Sequence, residues 1–415
     1  MDKSLLWLWI SLHFGPNSRM YRNLISYFDD IEDVYNSTQM DMDLIGWLSF
    51  SDKRKILDKK LEHALEVREW CNNNDVQIIS YSDDAYPISL RSIRNFPAVL
   101  YCKGEFPDFN NELSISVVGT RSMTSFGQRT AYDLGYTLSK GKAITVSGMA
   151  RGIDSTVAIG SLNAFGKTVA VLGSGIDIVY PRENYDLMNK IIENGAVITE
   201  FPPHSPPNSF HFPIRNRIIS GISNATVVVE ASLDSGAMIT ARTAIEQNKM
   251  LFAVPGPAKF HHSNGTNELI KNGDAKLATQ AEDILRPFYE SYKDKIDIFK
   301  ARQRPTFSKN LLKVASGRYD KSEIYEKSRE VKKKIKDKVK SFEEIIEEPE
   351  ISLDSNAYSA EQVKIYNAMK KGEPIVVDQL VEITGLPASD IVSNLTLLQI
   401  DGYVDEYPGG FFVKL

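Results

Sequence analysis

Only two cysteines stand in the 415 residues, Cys71 and Cys102. They lie far apart in unlike contexts, so neither a disulfide framework nor a cysteine-rich metal site can be built from them. Six histidines add little. His204 and His211 flank a proline-rich loop and His261 and His262 share another, without carboxylate or cysteine company at ligand spacing. No metal and no cofactor is expected. No apolar run approaches the roughly 20 residues that span a bilayer. The N-terminal LLWLWISLHF is short, lacks a basic flank and is followed by no small-residue cleavage site, so it reads as a packed helix of a cytoplasmic protein with no membrane partner. Excess positive charge is missing too, the formal balance being -5. A polyanion must therefore be held in a local basic cleft, because the global field repels it.

What is present falls into stretches of different texture. Residues 3–73 keep a helical period and almost no β-branched runs, which predicts a small all-α domain over 1–74. From residue 75 short apolar runs take over: VQIISYS, AVLYCKG, SISVVG, AITVSG, TVAVLG, AVITE, ATVVVEA and MLFAVPG. Between them, 124–140, 152–165, 184–194 and 236–248 have helical pattern. Apolar strands without alternation, separated by helices, predict an α/β core over 75–289, a doubly wound parallel sheet covered on both faces. Over 290–355 a basic block, VKKKIKDKVK, is followed by an acidic one, EEIIEEPE, and the segment reads as a charged linker. Residues 356–415 read as helices 359–371, 376–384 and 387–400 followed by a hairpin, the pattern of a winged helix-turn-helix.

Strand after strand in the core ends in glycine plus a small or basic residue. VVGTR supplies Gly119, Thr120 and Arg121. SGMARGID supplies Gly148 and Arg151, and TVAVLGSGIDIVYPREN supplies Gly173, Ser174, Gly175, Arg182, Asn184 and Tyr185. FPIRNRIISG contributes Arg215, Asn216 and Arg217, and SGAMIT contributes Ser235, Gly236 and Thr240. In a parallel sheet these carboxyl ends share one edge, where ligands bind at the switch in strand order. Glycine lets a ligand approach the backbone, and N–H groups at turns and helix N-termini point at anionic oxygens. The LGSG turn looks built for phosphate but not for a dinucleotide, since Ile178 and then Pro181 stand where that fingerprint needs a glycine and a helix. Five arginines, Arg121, Arg151, Arg182, Arg215 and Arg217, are expected to converge on this edge without carboxylates to neutralise them.

VVGTR, VSGMARGID, TVAVLGSGIDIVYPREN, FHFPIRNRIISGIS and VEASLDSGAMITARTAIEQNKMLFAVPG, in this order over roughly 80–285, resemble the DNA-processing protein A family, also called Smf. The resemblance implies an extended Rossmann-like core with a helical SAM-like domain before it and a winged helix after it. It implies single-stranded DNA binding, homodimerisation, and loading of the RecA recombinase onto incoming DNA during natural transformation. By motif, Arg121 and Arg182 match the family's phosphate contacts and Tyr185 stands where an aromatic can stack on a base. Ser209 replaces a basic residue that some members carry before F-x-F-P. ELIKNGDAKLATQ matches the dimerising segment, with Ile270 and Leu277 as apolar anchors and Asp274 as an extra residue in the turn.

Two other readings stay open. Nucleotide phosphoribohydrolases share this Rossmann variant, but their P-G-G-x-G-T-x-x-E turn ends in a catalytic glutamate, and here Thr243 stands three residues after Thr240. No catalytic residue is assigned. A nucleotide-sensing regulator with a promoter-binding winged helix is the second. Against it, PASDIVSNLTLLQI has no lysine or arginine, and the wing carries Asp401, Asp405 and Glu406 against Lys414. That domain is expected to meet protein, or to be a tethered module.

Overall fold

A computed structural model describes residues 2–303, 305, 358–370, 374–400, 403–407 and 411–414. Most of the segment read as a charged linker, 306–355, lies outside these, as does Asp401. The chain divides into two compact units, Met1–Ser37 with Lys59–Tyr319, and Thr38–Asp58 with Asp320–Leu415.

The first unit opens on the helix Lys3–Phe14. Asp2 caps it by accepting from the amides of Ser4 and Leu5, and Gly15 ends it at φ 70°. Leu5 to Ile10 are all buried. A helix apolar all round must be covered on every side, and it packs against the helix Glu62–Asn73 and the first strand. Behind it stands a nine-stranded sheet: β1 Gln77–Ser80, β2 Val99–Gly104, β3 Ser114–Val118, β4 Ile144–Ser147, β5 Thr168–Val171, β6 Gly195–Thr199, β7 Ala225–Val228, β8 Met250–Ala253 and β9 Lys276–Leu277. Their order is β1-β2-β6-β5-β4-β3-β7-β8-β9. From β6 to β9 all neighbours are parallel, while β1 and β2 close one edge antiparallel.

The eight apolar runs in the sequence correspond to β1 to β8. They are legible because strands buried on both faces need no polar residue, and β3 to β7 are buried at every position. Two elements escape such a reading. β9 is two residues long, and the helix His211–Ile222 carries Pro213 in its first turn, where proline is tolerated because that turn's N–H groups have no intrahelical partner.

The chain leaves β3 towards β4 and leaves β7 towards β8, in opposite directions, so the crevice of this sheet opens between the carboxyl ends of β3 and β7. The helices Ser125–Lys140 and Ile153–Asn163 cover one face; His211–Ile222 and Gly236–Glu246 pack together on the other. The core cluster runs through Ile115, Val117, Leu134, Val157, Val227 and Phe252 and takes in Ile296 and Ala301, so ordered packing continues past the expected end of the core at 289. Glu282 fastens this extension. It accepts from Arg286 and, at 2.8 Å, from Arg302, and the two guanidiniums hold its carboxyl down at about 2.

In the second unit the helices Ala360–Ala368, Val377–Thr384 and Ala388–Ile400 accompany a sheet of β10 Pro374–Val376, β11 Val404–Tyr407 and β12 Phe411–Lys414, in the order β10-β12-β11. Gly385, at φ 68°, ends the second helix in the left-handed conformation that glycine adopts without strain. Leu398 and Phe412 join Ile365, Leu380 and Leu395 in the core, whereas Leu397 and Phe411 are exposed. This is the winged helix read from the sequence.

Candidate nucleic-acid interface

A cleft of about 540 Å³ opens at the β3/β7 crevice, a volume in the range of small-molecule sites. Its floor is the end of β3, where Gly119, Thr120 and Arg121 turn outward. Its walls include Asn216 from one helix and Ser235, Gly236 and Thr240 at the start of the next, and Phe212, Arg215, Tyr180 and Asp154 also line it. The sequence-read residues of VVGTR and SGAMIT thus meet, although more than a hundred positions separate them.

Phe212 organises the electrostatics. The Arg121 guanidinium lies 5.3 Å from its ring centroid and that of Arg215 5.9 Å, while the Tyr180 ring centroid is 5.4 Å away. A ring's quadrupole attracts a cation to its face, so Phe212 allows two guanidiniums to approach each other. Sequence reasoning missed Phe212 and Tyr180; the available signal was an aromatic close to an arginine, in FHFPIR at a helix start and in VYPR after β5.

Arg215 is buried. Its Nη1 donates to the carbonyl of Gly148 at 2.8 Å and to that of Val171, clamping the ends of β4 and β5 together, and its Nε donates to Asn216 Oδ1 at 3.1 Å. The guanidinium fills the space where a side chain at position 148 would begin, which is why glycine stands there. Burial lowers the Arg215 pKa to about 10, opposed by Asp154 and reinforced by Arg121. Burial likewise raises Asp154, whose Oδ2 accepts from the Gly148 amide at 3.0 Å.

The expected five-arginine patch is narrower than the sequence suggests. Arg151 pairs with Glu183. Arg217 is buried, pairs with Glu200, and is absent from the cleft lining. Two carboxylates thus do accompany these arginines, brought close only by folding. Arg121 and Arg182 are exposed and have no ion-pair partner among the described residues.

The LGSG turn also differs from expectation. The Gly175 amide donates to the Ser205 carbonyl at 2.8 Å, and Ser174, 1% exposed, donates its hydroxyl to the Ile178 carbonyl at 3.1 Å. A Cβ at Gly175 would lie 2.8 Å from both the Pro202 carbonyl and the His204 amide. The turn packs against its own protein, while Gly173 lies beside Phe212. Beyond it Arg182–Asn184 form a single 3-10 turn, which Asn184 anchors by donating to the Met149 carbonyl at 2.8 Å. This sets Arg182 outward and leaves the Tyr185 ring exposed at the start of the next helix.

The profile of DNA recombination-mediator protein A matches residues 77–289, and that of the DprA winged helix domain matches 350–410. The chain belongs to the DNA recombination-mediator protein A family. It is 38% identical over 215 residues to DNA processing protein DprA of Bacillus subtilis, covering 52% of this chain and 72% of that protein. To protein Smf of Synechocystis it is 27% identical over 412 residues, 97% of this chain and 96% of the relative. The X-ray structure of DNA processing protein A from Streptococcus pneumoniae superposes with a TM-score of 0.60 at 28% identity, over 69% of this chain and 98% of that one. The Rossmann-like core and terminal winged helix read from the sequence are therefore family features.

Among the described residues no group of three or more histidine, cysteine or acidic side chains could hold a metal ion, and no helix is long and apolar enough to cross a membrane.

Proposed function

We propose that the carboxyl edge of the parallel sheet binds single-stranded DNA, protecting it and presenting it to a RecA-type recombinase. The observation that carries this reading is the pair of exposed arginines: Arg121 lines the cleft together with the exposed Tyr180, and Arg182 stands one short turn before the exposed Tyr185. Cations for phosphates and rings for unpaired bases are the two elements of a sequence-tolerant single-strand site. Membership of a recombination-mediator family supports the recombinase as recipient. If two to four phosphates are neutralised, log K should fall against log salt with a slope of about -1.4 to -2.8. Equal affinity for duplex, or affinity indifferent to salt, would overturn the reading. Recombinase filaments that assemble no faster with the protein present would confine the role to binding and protection.

The buried or paired carboxylates near the strand ends have structural partners, which favours binding over hydrolysis. Asp154 is engaged with Gly148, Asp177 pairs with His204 at 2.7 Å, and Glu230 accepts from the Thr124 amide at 2.9 Å. Thr243, where the phosphoribohydrolase glutamate belongs, donates to the Ile239 carbonyl at 2.9 Å.

A two-fold homodimer through Ile270 and Leu277 is part of the proposal. Leu277 is 52% exposed on β9, the outermost strand of the sheet, and Ile270 is half-buried just before it. An unpaired edge with an apolar side chain invites a partner. In a symmetric interface one substitution acts twice, so Ile270→Glu should yield folded monomers by light scattering. A wild-type mass that is monomeric at every practical concentration would exclude the dimer.

A further inference from the structure

On the side of the cleft away from Arg182, three loops and the start of the helix Ser125–Lys140 form a ledge whose exposed rings and further cations the reading above leaves unused. The loop after β3 is joined to the loop after β7, because the Thr120 amide donates to the Glu230 carbonyl at 2.7 Å and the Thr124 amide to Glu230 Oε2 at 2.9 Å. The loop after β7 is joined to the chain following β8, because the Gly265 amide donates to the Ala231 carbonyl at 2.9 Å. The carboxyl edge is thus continuous from the crevice to β8.

This ledge carries both exposed rings and exposed cations. Phe126 is 49% exposed and Phe260 47%, and His262 extends the second platform, its ring 5.9 Å from that of Phe260. Arg129 and Lys259 are exposed and have no ion-pair partner among the described residues. No acidic residue occurs in 119–129 or 254–264; of the two on the middle loop, Glu230 is buried and only Asp234 is exposed. Lys259 sits at φ 67°, a left-handed conformation uncommon for a side-chain-bearing residue.

We propose that the ledge is a second, distal contact for the same single strand, with Phe126 and Phe260 stacking on bases and Arg129 and Lys259 neutralising phosphates. This rests on the cleft being the first contact. From β5, whose loop carries Arg182, to β8, whose loop carries Phe260, there are four strand intervals, about 19 Å at about 4.8 Å each. A strand held at Arg182 therefore reaches Phe260, at the far end of the ledge, only when it is several nucleotides long.

The test uses the full chain with oligothymidylates of about 4 and about 12 nucleotides, the shorter at the lower limit of usual site sizes and the longer well inside their range. Phe126→Ala with Phe260→Ala should leave the short oligomer within about twofold of wild type and weaken the long one about tenfold or more. Arg129→Glu with Lys259→Glu, a surface change that spares folding, should reduce the salt slope for the long oligomer by about 1.4 and leave that for the short one unchanged. Unchanged binding of the long oligomer by both double variants overturns the ledge while leaving the cleft standing, and so does loss of a protein contact in its place. Failure of the wild type to bind either oligomer sinks the cleft itself.

Discussion

Arg121→Ala combined with Arg182→Ala should lower single-strand affinity about a hundredfold with little change in the melting temperature. A hydrogen bond to a charged group contributes about 1.5–3 kcal/mol, and the lower figure applies to side chains as exposed as these. Two such losses amount to about 3 kcal/mol, or about two orders of magnitude. The loss should be uniform across sequences, because phosphate contacts position a strand without reading it, and the salt slope should shrink by about 1.4. Folding is largely spared, because neither side chain has an ion pair to lose among the described residues and the contact of Arg121 with the Phe212 ring is worth only about 0.5–1 kcal/mol. Titration of the double variant with a fluorescent oligomer gives the answer. Affinity within threefold of wild type would place the phosphate contacts elsewhere.

That these two arginines, and not all five, carry the expectation shows where sequence reading stops. Residue type and strand-end position are local, so all five were legible as cations near one sheet edge. Their partners are not local. Glu183 lies 32 positions from Arg151, and Glu200 lies 17 from Arg217 on the far side of a loop. Only the fold decides whether a carboxylate arrives. The same limit governs the LGSG turn, where Gly175 is required by the close approach of residues 202–205, which only the fold brings there. It governs helix periodicity as well, since a run of helical pattern says nothing about which segments pack together. Residues 38–58 continue the N-terminal pattern, yet they group with the C-terminal elements. The parallel core was legible for the opposite reason, because burial on both faces writes itself into every residue of a strand.

Arg217 provides the second large effect, and with it a test of whether this arginine belongs to the interface at all. It is 7% exposed and Glu200 6%, and the two pair while Glu200 Oε1 also accepts from the Asn17 amide at 3.1 Å. Burial raises the Glu200 pKa, and Arg217 opposes the rise. Arg217 Nε and Nη1 find no acceptor, so the ion pair is this guanidinium's main compensation for leaving water. Glu200→Leu should therefore cost about 3–5 kcal/mol, as should Arg217→Met, because each leaves one buried charge alone. At about 1.6 °C per kcal/mol for a unit of this size, the melting temperature should drop by about 5–8 °C. Combining the two should recover most of the loss, since apolar side chains of similar volume replace a buried pair at little cost or even with gain. The decisive readout is the affinity of the combined variant. If Arg217 serves only to fasten the N-terminal helical layer to the core, the stable double variant binds single strands like wild type. A double variant that melts normally but binds tenfold more weakly would return Arg217 to the phosphate contacts.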